Sequence, residues 1–282
     1  MIGFLNINKP QGMTSHDCVA KVRKILGTRR VGHSGTLDPM ALGVLPIAVN
    51  QATRLLPYLP TGKAYRAVIR FGQTTTTDDR EGEILSDRPC PSLTLEEVEK
   101  HLAKFIGTIE QVPPAFSAIK IGGKKLYELA RSGQNIEVPS RTVTIESITV
   151  LSWQPGDYPE LTIEIYCGAG TYIRSVARDW GDRLGCGAML IELERTLSNG
   201  FHLDSSISFD RITPLYLIPA DETLPHLPRL TLSFEEAKRW QRGQKISLAY
   251  PEGVWKVYQG TKFLGIGKIA EETLSPLVVL PD

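Results

Sequence analysis

The sequence has no cysteine pair in C-x-x-C spacing; its four cysteines, Cys18, Cys90, Cys167 and Cys186, are scattered. A chain of 282 residues buries a core without staples,. The thiols therefore read as reduced, in a cytoplasmic protein. No apolar run nears the roughly 18–20 residues of a membrane span, so no membrane partner is expected. The start, residues 1–10, lacks a basic segment and a small-residue cleavage site, and no signal peptide is expected,. Walker A and strand-linked G-x-G-x-x-G motifs are missing, which argues against a nucleotide cofactor. There is no G-x-S-x-G elbow, and no local signature supports a Ser-His-Asp triad. The nearest metal candidate, His16-Asp17-Cys18, has neighbours on different sides of a helix, so no metal is expected,. Repeats and low-complexity stretches are also missing. With 41% hydrophobic and 22% charged residues the composition is globular, which excludes a mainly disordered chain,.

Excess charge is missing too: the formal net charge is +1. Taken whole, that gives no hint of a nucleic-acid partner. Segment by segment it differs. Residues 1–75 carry 10 basic residues against 2 acidic, a net of +8, and residues 76–112 carry 4 against 9, a net of −5. An N-terminal basic third suits a polyanion partner; it equally suits charges scattered over a solvated surface.

The chain reads as mixed α/β (α+β). A strand is expected at 2–8. Thr14 and Asp17 form a capping box for a helix whose apolar residues are Val19, Val22 and Leu26, with Gly27 as its stop,. Residues 28–46 read as a long loop with an apolar tail. In a strand at 64–71, Tyr65, Ala67, Ile69 and Phe71 share one face,. Thr94 and Glu97 cap a helix with Leu95, Val98, Leu102 and Phe105 on its apolar face,. A short helix is expected at 124–131, strands at 141–152 and 160–167, a helix at 171–184 ended by Gly185, and a strand at 188–194. Beyond Pro219 one helix (233–241) and short strands read as a small β-rich appendage, with the boundary near 215–225.

Three segments carry candidate chemistry. Gly32-His33-Ser34-Gly35-Thr36-Leu37-Asp38-Pro39 combines glycines that allow close backbone approach, a histidine, and an aspartate held out of helical geometry by the proline after it,. Gly168 to Arg174 leads small residues into a helix with Tyr172 and Arg174 at its first turn. Lys63-Ala64-Tyr65-Arg66 flanks an apolar-face tyrosine with cations. Each also fits a plain reading: a turn, an amphipathic helix start, a core tyrosine.

Together these segments resemble the TruB family of tRNA pseudouridine synthases. The matching stretches are Asn8-Lys9-Pro10-Gln11-Gly12-Met13-Thr14-Ser15, V-G-H-S-G-T-L-D-P-M-A-L-G-V-L-P (31–46), K-A-Y-R (63–66), P-P-A-F-S-A-I-K-I-G-G-K-K-L-Y-E-L-A-R (113–131), G-A-G-T-Y-I-R (168–174) and L-G-C-G-A (184–188). They follow the family order over about residues 1–200. The resemblance implies a catalytic domain at 1–220, its central mixed or antiparallel sheet flanked by helices. It also implies an RNA-gripping insertion at about 113–140 and a PUA-like RNA-binding domain at 221–282. The last rests on Gly243-Gln244-Lys245 and Phe263-Leu264-Gly265-Ile266-Gly267.

By the same resemblance Asp38 is the catalytic aspartate and Tyr65 stacks on the uracil and moves the C5 proton. Arg174 pairs with Asp38, and His33 lies near the flipped-out nucleotide. Lys9, Tyr172 and Leu193 shape the pocket, and Asp79 is the acidic residue of the loop after the tyrosine strand. One departure stands in that loop: Thr75-Thr76-Thr77-Asp78-Asp79 has Thr76 where relatives often carry an acid. The implied reaction converts a uridine at position 55, in the tRNA T-loop, to pseudouridine. The N1–C1′ bond breaks, the base rotates in place, and C5 joins C1′, with no cosubstrate or cofactor. The base must leave its stack, and an aromatic floor compensates with about 1–3 kcal/mol per base. An ionised carboxylate is needed as nucleophile at C1′ or C6, or as base at the 2′ position; these stay alternatives. A buried aspartate tends to be neutral and an adjacent arginine keeps it charged, so Arg174 is expected to touch Asp38. Water must be kept out while the base is detached.

Lys21, Arg23, Lys24, Arg29, Arg30, Lys120, Lys124, Lys125 and Arg131 are candidate contacts to the RNA backbone,. The implied partner is the tRNA T-arm, bound by a monomer. Two other readings are a catalytically silent RNA-binding or RNA-folding protein on this scaffold, and an N-glycoside hydrolase that admits water and releases uracil.

Overall fold

The computed structural model describes residues 1–117 and 138–281, with the backbone of 120–121 and 124–125. Strands β1 (Gly3–Lys9), β2 (Val31–His33), β3 (Leu42–Val49), β4 (Lys63–Phe71), β5 (Gln73–Thr75), β6 (Ile84–Asp87) and β7 (Gly107–Gln111) form the first part of the chain. The hairpin β8 (Lys120–Ile121) and β9 (Lys124–Lys125) precedes β10 (Arg141–Gln154), β11 (Glu160–Cys167), β12 (Ala188–Ser198) and β13 (Phe201–His202). Helices α1 (Ser15–Leu26), α2 (Leu95–Lys100) and α3 (Ile173–Leu184) pack around them.

The main sheet runs in the order β1-β3-β12-β4-β11-β10-β7, with β2 on β3 and β13 on β12. It is antiparallel except at β3–β12, where Leu42 and Gly43 face Glu194 and Arg195 in parallel. This is the expected mixed sheet. The period-two pattern of β4 holds: Tyr65, Ala67, Ile69 and Phe71 are buried in the core beneath α3, while Arg66 on the other face is exposed.

Local chemistry sets the helix ends. Thr14 and Asp17 make the reciprocal capping box, and so do Thr94 and Glu97,. Gly27 and Gly185 close α1 and α3 in the left-handed conformation, at φ of 61° and 74°,. α3 lies on the sheet through Val176, Ala177 and Trp180; the Trp180 ring stacks 5.0 Å from that of Phe105, and its Nε1–H donates to Val98 O at 3.1 Å. Gly181 lets the helix approach the chain at 187–188: a Cβ there would stand 2.1 Å from Ala188 N. Gly181→Ala must therefore push α3 off the sheet. Overpacking of this kind costs about 1–3 kcal/mol. Thermal unfolding should show a Tm lower by at least about 2–4 °C.

Two expectations are corrected. The tail of the 28–46 segment is not loop but β3, paired with β1 from Gly43 to Val49. Gly43 and Pro46 read as breakers, yet Pro46 occupies a place where no strand continues on its outer side and its carbonyl accepts the Ser34 N–H at 2.9 Å,. The helix expected at 124–131 does not begin at Lys124: Lys124–Lys125 pair with Lys120–Ile121 as a hairpin, and 126–131 lie outside the described residues.

After β13 the chain returns along β1, where Ile207 and Ile218 bridge to Ile7 and Phe4 and cover that sheet edge,. The remainder is a second sheet of five strands: β14 (Arg229–Leu232), β15 (Ile246–Ser247), β16 (Gly253–Gln259), β17 (Lys262–Ala270) and β18 (Thr273–Val279), in the order β14-β16-β17-β18-β15. Helix α4 (Phe234–Gln241), capped by Ser233 and Glu236, seats Trp240 in its core. Ile266 and Val278 of this sheet, with Leu280 just after it, also pack with Phe4, Val44, Ala48 and Leu55. The two sheets thus share one apolar cluster.

Candidate active site

The site forms where the segment after β2 meets the N-terminal turn of α3, over the buried end of β4. Residues 36–39 are held from below. The Leu37 N–H donates to Ser15 Oγ at 2.9 Å at the start of α1. Lys9, fully buried, donates from Nζ to the carbonyls of Met13, Pro10 and Pro39 at 2.7, 3.0 and 3.3 Å. Burial lowers its pKa. Lys9 is thus a clamp under the aspartate loop and not a wall of the cleft.

Asp38 emerges from this loop with a third of its side chain (33%) open to the cleft. Burial among protein atoms raises its carboxyl above the ordinary range, and Arg174 opposes the rise,. The Arg174 Nε stands 2.9 Å from Asp38 Oδ2, and its Nη1 stands 3.4 Å from Asp79 Oδ2. Arg174 is 4% exposed and also donates to Thr77 O and Phe116 O, at 2.9 and 3.0 Å. One guanidinium therefore serves two carboxylates and pins two loops.

The loop carrying Asp79 is itself ordered by its threonines. Thr77 Oγ1 and the Glu81 N–H donate to Asp79 Oδ1 at 2.6 and 3.0 Å, and Thr75 Oγ1 to Asp79 O at 2.6 Å. Thr76, the departure noted above, accepts the Glu83 N–H at 3.1 Å and so ties the loop on its exposed side. Beside it Asp78 pairs with Arg178 at 2.9 Å.

Tyr65 is 6% exposed, and burial raises the pKa of its phenol. Leu193 stands on the neighbouring strand, where it faces Ala67. Tyr172 enters from the α3 side, fixed by two bonds to buried Gln111: Gln111 Oε1 accepts the Tyr172 N–H at 2.8 Å, and its Nε2 donates to Tyr172 O at 3.1 Å. The Arg141 guanidinium lies 5.5 Å from the Tyr172 ring centre. Together Asp38, Tyr65, Tyr172, Arg174 and Leu193 line a cleft of about 290 Å³ with Lys63, Thr36 and Thr171. That is the small end of the range for ligand clefts.

His33 is not among the residues that line the cleft; it is half-buried and edge-on to His16, with ring centres 5.6 Å apart. Burial, then His16 and Arg195, lower its pKa, so the imidazole is neutral near pH 7,. Arg29 and Arg30 are exposed, as are Lys21, Arg23 and Lys24. The side chains of Lys120, Lys124 and Lys125 lie outside the described residues, as does all of Arg131.

Three residues of the site escaped the sequence reading. Ser15 and Gln111 each hold a loop through two hydrogen bonds to one backbone residue, for which sequence offers no signal. Arg195 did leave one. It is fully buried on β12 opposite Tyr65, and alternation from Leu193 puts it on the apolar face,. The strand read to 194 stopped one residue short of it. No cluster of three or more potential metal ligands occurs among the described residues, and no helix there is long and apolar enough to cross a membrane.

The fold is that of the pseudouridine synthases. The chain superposes on one from the crystal structure of a Cbf5-Nop10-Gar1 complex with a TM-score of 0.70 at 27% identity, covering 94% of this chain and 78% of that one. It also superposes on a chain of an H/ACA RNP bound to a substrate RNA containing 2′-deoxyuridine, with a TM-score of 0.72 at 23% identity, covering 99% and 85%. A sequence model described as TruB family pseudouridylate synthase (N terminal domain) matches residues 23–173, and one described as Pseudouridine synthase II TruB, C-terminal, matches 228–280. Proteins named tRNA pseudouridine synthase B from Trichormus variabilis and Gloeothece citriformis are each 53% identical, over 99% of this chain and 98% and 97% of theirs. The chain belongs to the TruB family of pseudouridine synthases.

Proposed function

We propose that this chain isomerises one uridine in the T-loop of tRNA, position 55, to pseudouridine. The observation that supports this best is the Arg174–Asp38 pair at 2.9 Å in a cleft floored by Tyr65. A flipped uridine stacks on Tyr65, whose buried ring replaces the lost neighbours. Asp38, kept ionised by Arg174, attacks the sugar or base, or removes the 2′ proton. Once the N1–C1′ bond has broken, the uracil turns between Tyr172 and Leu193 and C5 bonds to C1′. The C5 proton leaves through the Tyr65 hydroxyl, and N1 gains a proton, so atoms balance without a cosubstrate. Asp79 shares Arg174 and so sets how much of its charge Asp38 receives. His33, neutral, lies against the displaced nucleotide, and Lys9 keeps the Asp38 loop in register.

The basic N-terminal third, including Arg29 and Arg30, meets RNA phosphates together with Lys120, Lys124 and Lys125. Residues 1–220 form the catalytic domain, with 113–140 as the segment that grips the T-arm, and 221–282 a PUA-like RNA-binding domain. The protein acts as a monomer in the cytoplasm.

Unmodified tRNA transcript tritiated at uridine C5 tests this. Tritium release with no free uracil is the expected result. Binding without release supports the silent RNA-binding reading, and free uracil supports the hydrolase; either overturns the proposal. Tyr65→Phe keeps the stacking ring and loses the proton carrier. Its RNA affinity should stay within about twofold, since base stacking is retained. Its single-turnover rate should fall by about 10²–10⁴, the range for losing a positioned acid–base group.

A further inference from the structure

Two neighbouring cations, Lys63 on the cleft wall and Arg195 behind it, have no anion among the described residues. Lys63 opens β4 two residues before Tyr65 and lines the cleft. Arg195 faces Tyr65 across the β12–β4 ladder and is 0% exposed. Its Nε donates to Val44 O at 2.7 Å and its Nη2 to Gly35 O at 3.2 Å, while Nη1 is buried without a hydrogen-bond partner. The two cations converge on Gly35. A Cβ at that position, where φ is +83°, would stand 2.9 Å from Lys63 Nζ and 3.6 Å from Arg195 Nη1. Among the described residues neither cation pairs with a carboxylate.

A buried guanidinium with no counter-ion is costly, and a second cation beside it adds repulsion. Burial, with Arg195 next, pushes the Lys63 ammonium down to about 8. Folds keep such local conflicts at functional sites. RNA brings one negative charge per nucleotide, and a nucleotide turned into this cleft carries a phosphate on each side of its ribose.

We propose that Lys63, backed by Arg195, binds an RNA phosphate flanking the nucleotide held in the cleft. The inference rests on RNA being the substrate. Lys63 makes the contact. Arg195, enclosed beneath it, adds its field and holds the Gly35 carbonyl, and the bare Cα of Gly35 leaves Lys63 room to reach past the loop. Binding favours the charged ammonium. Affinity should therefore be full below pH 8 and weaken above it.

The test uses the full chain and four synthetic T-arm stem-loops: all-phosphate, a single neutral methylphosphonate 5′ or 3′ to the target uridine, and one remote in the stem. For the native protein, one of the two flanking methylphosphonates should raise Kd about tenfold and the remote one less than about twofold, since one charged contact is lost. Lys63→Gln should bind the all-phosphate RNA about tenfold more weakly, and the same methylphosphonate should then add less than about twofold. Lys63→Arg should restore the discrimination. The slope of log Kd against log salt should drop by about one in Lys63→Gln. The phosphate site is overturned if the two changes multiply, or if neither flanking methylphosphonate matters to the native protein while it still isomerises the all-phosphate stem-loop. Failure to bind the all-phosphate stem-loop at all overturns the function proposed above, and the phosphate site with it.

Discussion

Asp38→Asn should reduce pseudouridine formation by at least about 10³-fold, as expected when the reacting carboxylate is replaced by an amide that neither attacks nor accepts a proton. The substitution keeps volume and shape. Arg174 retains Asp79 and its two carbonyl acceptors, so the loops it pins stay in place. Affinity for tRNA should stay within about threefold of native, because the contacts to phosphates are untouched. Tritium release and filter binding on one preparation separate the two quantities. A protein that lost both together would have lost its fold and not its chemistry, and a Tm near native excludes that.

Arg174 should show the second large effect, and through pH. Burial raises the Asp38 carboxyl above its usual range and Arg174 pulls it back. Without that guanidinium the Asp38 pKa rises further, and less of it is ionised at neutral pH. The rate depends on the ionised form, so its acid limb must move to higher pH. Arg174→Lys keeps a charge but not the fork that reaches Asp38, Asp79, Thr77 and Phe116 together,. Single-turnover rates should fall at pH 7 by about 10²-fold or more, as if one preorganised electrostatic contact were lost, and recover partly as pH rises. Arg174→Ala leaves Asp79, 3% exposed, without its cation. Removing one partner of a buried pair typically costs about 3–5 kcal/mol, which urea unfolding would register. A rate loss in Arg174→Lys that is constant across pH would mean that Arg174 positions without tuning Asp38.

Much of this site was legible in the sequence because its parts are short, dense motifs. Asp38 before Pro39, Tyr65 on the apolar face of a clean alternating strand, and Arg174 behind small residues all stand out locally. Their meeting does not: nothing in the spacing of residues 38 and 174 joins them, and the expected contact rests on the family resemblance, to which the need to keep a buried carboxylate charged adds a physical reason. The helices were readable for a similar reason, since capping boxes at Thr14 and Thr94 and the glycine stops are local chemistry. Strand β3 was not, because Gly43 and Pro46 mimic loop punctuation; Gly43 is needed where β12 comes close, and Pro46 is tolerated in the gap between the segments of β3 that pair with β12 and with β2. Lys9 is singled out only by the resemblance, as a residue that shapes the pocket; the three carbonyls that turn it inward beneath Asp38 leave no local signal in the sequence. Arg195, another buried cation, leaves one signal, the alternation from Leu193, which is easily passed over,. An arginine at a strand's end reads as solvated, and only the burial of β12 between β3 and β4 encloses it.

The most direct test of the account is to map pseudouridine at nucleotide resolution in unmodified tRNA after incubation with the native protein and with Asp38→Asn. A carbodiimide adduct that stops primer extension marks each site. The account predicts one new stop, at position 55 in the T-loop, with native protein, and none with Asp38→Asn at equal occupancy. A stop elsewhere, an abasic site in its place, or an unchanged stop with Asp38→Asn would contradict it.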